Sequence, residues 1–170
     1  MAPRRIQCGP FSAIDRFMIE YCVSAVGMDG PVSLARCKDA LLMLDTNAQR
    51  RPDAFNSVEL FLASLAACMI ESVGGLAPQL HFHYRALTVS LRAVAQRVPP
   101  KITRVEYLLN LDTEESAARL EILHLMVRTQ GAVCSTVARD TDLVGKVSRM
   151  STTSRNVQQL GIKGPPAGQI

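Results

Sequence analysis

The sequence predicts a single α+β domain, and three features carry that prediction. Leu60 to Ile70 (LFLASLAACMI) is a run of eleven residues without a charge, which reads as a helix buried on all sides. Residues 86–98 and 101–112 alternate apolar with polar side chains, which reads as two half-buried strands. After Asp112 the apolar spacing changes from two to between three and four, which reads as an amphipathic helix. A chain of 170 residues fits one domain, and an apolar content of 48% excludes global disorder. Trp is absent and aromatics are few, so the core falls to Leu, Val, Ala, Met and Ile.

In chain order, residues 1–16 carry Pro3 and Pro10 with little periodicity and read as an N-terminal arm. The domain is expected over 17–150. Residues 17–26 are strand-like, and Gly27 to Pro31 supply Gly-rich turn chemistry. Val32–Arg36 and Ala40–Asp45 fit further strands of a meander, and polar residues 46–56 fit a loop. Asn56, with Glu59 three residues on, has the spacing of a capping box, although Ser57 also suits the cap. Gly74-Gly75 and Pro78 are expected to end the helix. Leu87, Val89, Leu91 and Ala93 mark the inner face of the next strand, which Pro99-Pro100 breaks. Val105, Tyr107, Leu109 and Leu111 mark the following one. Asp112 to Glu115 place acids where a helix start favours them, and Leu120, Leu123 and Val127 define that helix's apolar face as far as Arg128. A short turn or helix through Cys134 then leads to a last strand near 142–149. Residues 151–170, with Gly164-Pro165-Pro166, read as a flexible C-terminal tail.

The formal charge of +4 comes from the ends. Arg4 and Arg5, with Arg155 and Lys163, lie in terminal stretches without acids, and the body between them balances to zero. A nucleic-acid partner, which needs a basic stripe on the folded body, is therefore not expected. Neither is a membrane: the uncharged run is about half the twenty residues that a span requires. The five cysteines (8, 22, 37, 68 and 134) show no Cys-x-x-Cys pair, and no long apolar run follows Arg4-Arg5 early enough to form a signal peptide. Free thiols in a reducing cytoplasm are the consistent expectation.

Cys68 lies in the middle of the uncharged run. An apolar helix buries Cys readily as a small core side chain, and a thiol there is inert unless a cation or donor reaches it. Cys68 is thus either core filler or a nucleophile activated from elsewhere in the fold. His81 and His83 share a face if their segment is extended, but two imidazoles do not make a metal site and no third ligand is evident. No phosphate loop, metalloprotease helix or serine elbow occurs, so no metal or other cofactor is expected.

The order of these elements, with the words NSVELFLASLAACMI, PPKITRVEYLLNLDTEESAARLEIL and VCSTV, resembles the OsmC/Ohr family over about residues 17–149. That resemblance implies an OsmC-like fold, with antiparallel sheets packed around a central buried helix in an intertwined homodimer. It also implies a helix Cys that attacks organic hydroperoxides and a second Cys that closes a disulfide, which dithiols such as dihydrolipoamide reduce. Cys68 matches the attacking Cys. The family's helix Glu falls on Val58, with Glu59 next to it, and a less characterised branch carries Glu at that later place. The activating Arg falls near Met28, leaving Arg36, Arg50 and Arg51 as substitutes, and the resolving Cys falls on Gly131. Cys134 stands three residues further on, on the same face of a short helix.

The implied site is therefore Cys68, Cys134 and Glu59, in a thiol-dependent reductase of organic hydroperoxides. Two other readings stand beside it. One is a non-catalytic dimer that binds a small hydrophobic ligand in the cleft between subunits. The other is a hot-dog-type thioesterase, for which no placed carboxylate or His is identifiable.

Overall fold

The computed structural model describes residues 21–27, 32–47 and 51–150. The expected arm (1–16) and tail (151–170), together with Met28 and Arg50, lie outside them. The chain divides into two compact units, Met1–Phe61 and Leu62–Ile170.

In the first unit, β1 (Ser24–Gly27), β2 (Val32–Cys37) and β3 (Ala40–Asp45) form the expected antiparallel meander. Val26 pairs with Leu34, and Leu34 with Met43. A two-residue turn at Lys38-Asp39 joins β2 to β3, with Lys38 at φ 54. Asp45 closes the meander: it is buried, and its carboxylate accepts the backbone N–H groups of Asn47 and Arg51 at 3.3 and 3.1 Å. The same loop brings Phe55 back beside Leu44 in a single parallel bridge.

Helix α1 (Ser57–Gln79) starts as its capping spacing predicts. Asn56 Oδ1 accepts from the N–H groups of Val58 and Glu59 at 3.0 Å, and Glu59 Oε2 accepts from Asn56 N at 2.9 Å. The helix does not stop at Gly74-Gly75. Both glycines are exposed with open space around them, while Val73, Leu76 and Ala77 are buried, so packing of that face outweighs a propensity cost of about 1 kcal/mol per glycine. The stop comes at His81, at φ 49. His81 N donates to Pro78 O at 3.2 Å and Phe82 N to Ala77 O at 2.8 Å, the paired bonds of a left-handed helix end. At 23 residues and mean hydropathy 1.8, α1 would also suit a bilayer. Its Leu65, Met69 and Val73 are instead wholly buried in the chain, and Glu71 sits mid-helix, as in a core helix.

In the second unit, β4 (Ala86–Arg97) and β5 (Pro100–Asp112) form a long antiparallel hairpin that turns at Val98-Pro99. Helices α2 (Ala117–Gln130) and α3 (Ala132–Val137) then carry the chain back to β6 (Asp142–Arg149). β6 pairs with β5 in parallel, which corrects the expectation of antiparallel sheets throughout. A two-helix crossover returns the strand to the same end of its neighbour, whereas a hairpin would have reversed it. The start of α2 is also later than expected. Asp112 and Glu114 bind Arg85, Glu115 accepts from His83 N, and the helix is capped by Ser116, whose Oγ accepts from Arg119 N at 3.3 Å. The core of this unit is Leu65, Met69, Val73 and Leu76 of α1, Val105, Tyr107, Leu109 and Leu111 of β5, and Leu120, Leu123 and Val127 of α2.

Candidate functional site

Cys68 belongs to the buried face of α1, between Leu65 and Met69, and is 7% exposed. Helical spacing places Leu65, Cys68, Met69 and Ser72 on one side, so the face that packs the core also carries the thiol. Cys134 lies in α3 and is wholly buried. Its Sγ stands 4.0 Å from Cys68 Sγ, so residues 66 apart in sequence bring two free thiols into contact. Burial, then the neighbouring Cys68 sulfur, pushes the Cys134 thiol up to about 12. Cys134 therefore stays protonated at neutral pH, which disfavours it as an attacking thiolate.

Gly131 ends α2 and caps α3 at the same time. A Cβ there would fall 3.0 Å from Cys68 Sγ and 3.0 Å from Ser72 Oγ, closer than normal contact, so the bare backbone at 131 is what lets α3 pack this near the sulfur. Position 131 and position 134, one helical turn apart, both face Cys68.

The model of the family described as "OsmC-like protein" matches residues 50–144, more than half of the chain and all of the segment that holds both thiols. The chain belongs to the OsmC-like family. Solved structures agree on the fold. An OsmC-like protein from Mycoplasma pneumoniae superposes with a TM-score of 0.73 at 14% identity, covering 78% of this chain and 99% of that one. The organic hydroperoxide resistance protein OhrB of Bacillus subtilis gives 0.59 at 16% identity, over 76% of this chain and 98% of its own. An organic hydroperoxide resistance protein OsmC from Legionella pneumophila gives 0.61 at 19% identity, over 77% and 98%. None of the curated proteins compared with the sequence matches it.

In this OsmC-like protein the third expected site residue, Glu59, is held by the cap of α1, nine residues before Cys68 on the same helix. Among the expected arginines, Arg51 is committed to Asp53, its Nε and Nη2 donating to the two carboxylate oxygens at 2.9 and 2.7 Å. Arg36 lies exposed on β2. His81 and His83 do not share a site: His81 forms the left-handed helix stop, Phe82 between them is buried, and His83 Nδ1 stands 3.7 Å from Glu115. Cys22 is disulfide-bonded, so the expectation of free thiols is corrected there.

One buried polar pair escaped the sequence reading. Tyr107 Oη and His124 Nε2 are 2.7 Å apart, with the rings edge to face at 69°. Burial pushes the Tyr107 phenol up to about 12; Arg128 opposes that shift, and Cys134 and Glu121 add to it. The signal was present. Tyr107 lies on the apolar face of its strand, and His124 falls between Leu120 and Val127 at helical spacing. A separate cavity of about 500 Å³ opens at the end of α1, walled by Gly74, Ala77, Phe82 and Tyr84 among others, and does not include either thiol.

Proposed function

We propose that this OsmC-like protein reduces organic hydroperoxides through Cys68, with Cys134 closing a disulfide on it. The observation that carries this reading is the 4.0 Å approach of the two sulfurs. In the first step the Cys68 thiolate takes the terminal peroxide oxygen, the O–O bond breaks, and the organic fragment leaves as an alcohol after gaining a proton. Cys68 becomes a sulfenic acid. Cys134 then attacks the Cys68 sulfur and its proton leaves with the hydroxyl as water, which requires the sulfurs to close from 4.0 Å to about 2.05 Å. A dithiol such as dihydrolipoamide restores both thiols by exchange.

The reading includes a homodimer. The meander leaves Val26, Leu41, Met43 and Phe55 exposed, and α1 leaves Ile70 exposed, which suits cover by a second copy better than solvent. Sedimentation at micromolar concentration is expected to give a dimer, and a monodisperse monomer contradicts it.

The chemistry is tested on the reduced full-length chain with a slight excess of cumene hydroperoxide, followed by sulfenic-acid trapping and mass spectrometry. Modification at Cys68 ahead of Cys37 is expected, with a Cys68–Cys134 disulfide when the trap is omitted. An inert Cys68 would leave the dimer that binds a small hydrophobic ligand as the better account.

A further inference from the structure

Gly74 and Gly75 lie inside α1, where each lowers helix propensity. Nothing within the chain asks for them, since a Cβ at either would meet no atom within 4 Å. The two differ in one respect: Gly74 borders the cavity of about 500 Å³ at the end of α1, and Gly75 does not. The left-handed stop supplies more of that wall. His81, at φ 49, turns the chain off the helix, and His81, Phe82, His83 and Tyr84 all line the cavity beside Gly74 and Ala77. Four consecutive aromatic rings thus meet one cavity in a chain with no Trp, five Phe and three Tyr. His81 and His83 form no metal site, because no group of three ligating side chains occurs among the described residues. The Tyr84 hydroxyl and the His81 imidazole make no hydrogen bond among the described residues.

We infer that this cavity is a binding site for a small planar aromatic acid. Its volume lies within the range of small-molecule sites, roughly 300–1,000 Å³. A wall of aromatic rings favours a flat ring, which stacks or packs edge to face against it. The bare backbone at Gly74 lets such a ring lie against the helix, where a side chain would stand in the same space. The Tyr84 O–H and an imidazole N–H can donate to a carboxylate. No acid of the chain lines the cavity to repel one, and Glu115, which pairs with His83, is also bonded by Arg119. Neither thiol borders the cavity, so the site is independent of the peroxide chemistry.

The experiment titrates the reduced full-length chain with 2-naphthoate by calorimetry. Cyclohexanecarboxylate serves as the non-aromatic acid and 2-naphthalenemethanol as the neutral ring. 2-Naphthoate is expected to bind, and each of the other two at least tenfold more weakly. Gly74→Leu is expected to weaken 2-naphthoate at least tenfold. Gly75→Leu makes the same change to the helix away from the cavity and is expected to leave the affinity unchanged. Tyr84→Phe is expected to weaken it several-fold. Equal loss in the two glycine variants overturns the site, as does a parent that binds no 2-naphthoate at millimolar concentration. Cyclohexanecarboxylate binding as tightly as 2-naphthoate overturns the aromatic class. Should Gly74→Leu fail to fold, an unchanged affinity in Tyr84→Phe overturns the site.

Discussion

Gly145 on β6 is the register partner of Tyr107 on β5, and the Tyr107 ring lies over it so closely that a Cβ at 145 would fall 2.2 Å from Cζ and 2.4 Å from Cδ2. The bare backbone at 145 lets the ring lie flat across the parallel pair and turn its hydroxyl to His124 Nε2. A methyl group there meets a rigid buried ring. Gly145→Ala is therefore expected to destabilise the protein by about 3 kcal/mol, the upper end of what overpacking costs. That corresponds to a fall in Tm of roughly 6–12 °C for a chain of this size. Calorimetry checks it, and an unchanged Tm contradicts the close approach.

The raised Cys134 thiol carries a pH dependence whose sign follows from linkage. An ordinary thiol loses its proton near 9, whereas folded Cys134 holds it to about 12. Between those values the unfolded chain binds fewer protons than the folded one, so stability falls as pH rises from 9 to 12 and is unaffected by this group below 9. Urea midpoints for the native chain and Cys134→Ala across pH 8–11 are expected to diverge above pH 9, with a slope difference approaching about 1.4 kcal/mol per unit. Parallel curves would mean that Cys134 ionises freely.

Glu59 and Asn56 satisfy each other's backbone N–H groups at the first turn of α1. Asn56→Ala is expected to cost about 1 kcal/mol in denaturant melts, and Glu59→Gln, which keeps an oxygen acceptor, much less. A peroxide rate that fell in Glu59→Gln at unchanged stability would instead assign that carboxylate to the chemistry.

His81 adopts φ 49 to terminate α1, a conformation that a residue with a Cβ enters at a cost. His81→Gly is expected to stabilise the protein by about 0.5–1 kcal/mol, since glycine removes that strain but adds freedom to the unfolded chain. A loss of stability would show that the imidazole makes a contact worth more than the strain.

What was legible in the sequence followed from periodicity. The uncharged run around Cys68 located the core helix and alternation located β4 and β5, whereas Cys134 came from the family resemblance, which puts the resolving position on Gly131, three residues before it. Features set by space rather than pattern were not legible. Gly74-Gly75 looked like a stop because glycine permits a left-handed turn, yet nothing around them demands one, and the turn fell on His81. The alternation of β6 identified a strand without its direction, which depends on where α2 and α3 deliver the chain. Asp112 to Glu115 looked like a helix start, but Arg85 and His83, distant in sequence, had first use of those carboxylates.

Cys68 sits on the long helix α1 and Cys134 on the six-residue helix α3, so joining their sulfurs would tie β4, β5 and α2 into one closed ring of chain. A ring of that length has less freedom to lose on folding, so the oxidised chain would resist unfolding better than the reduced one.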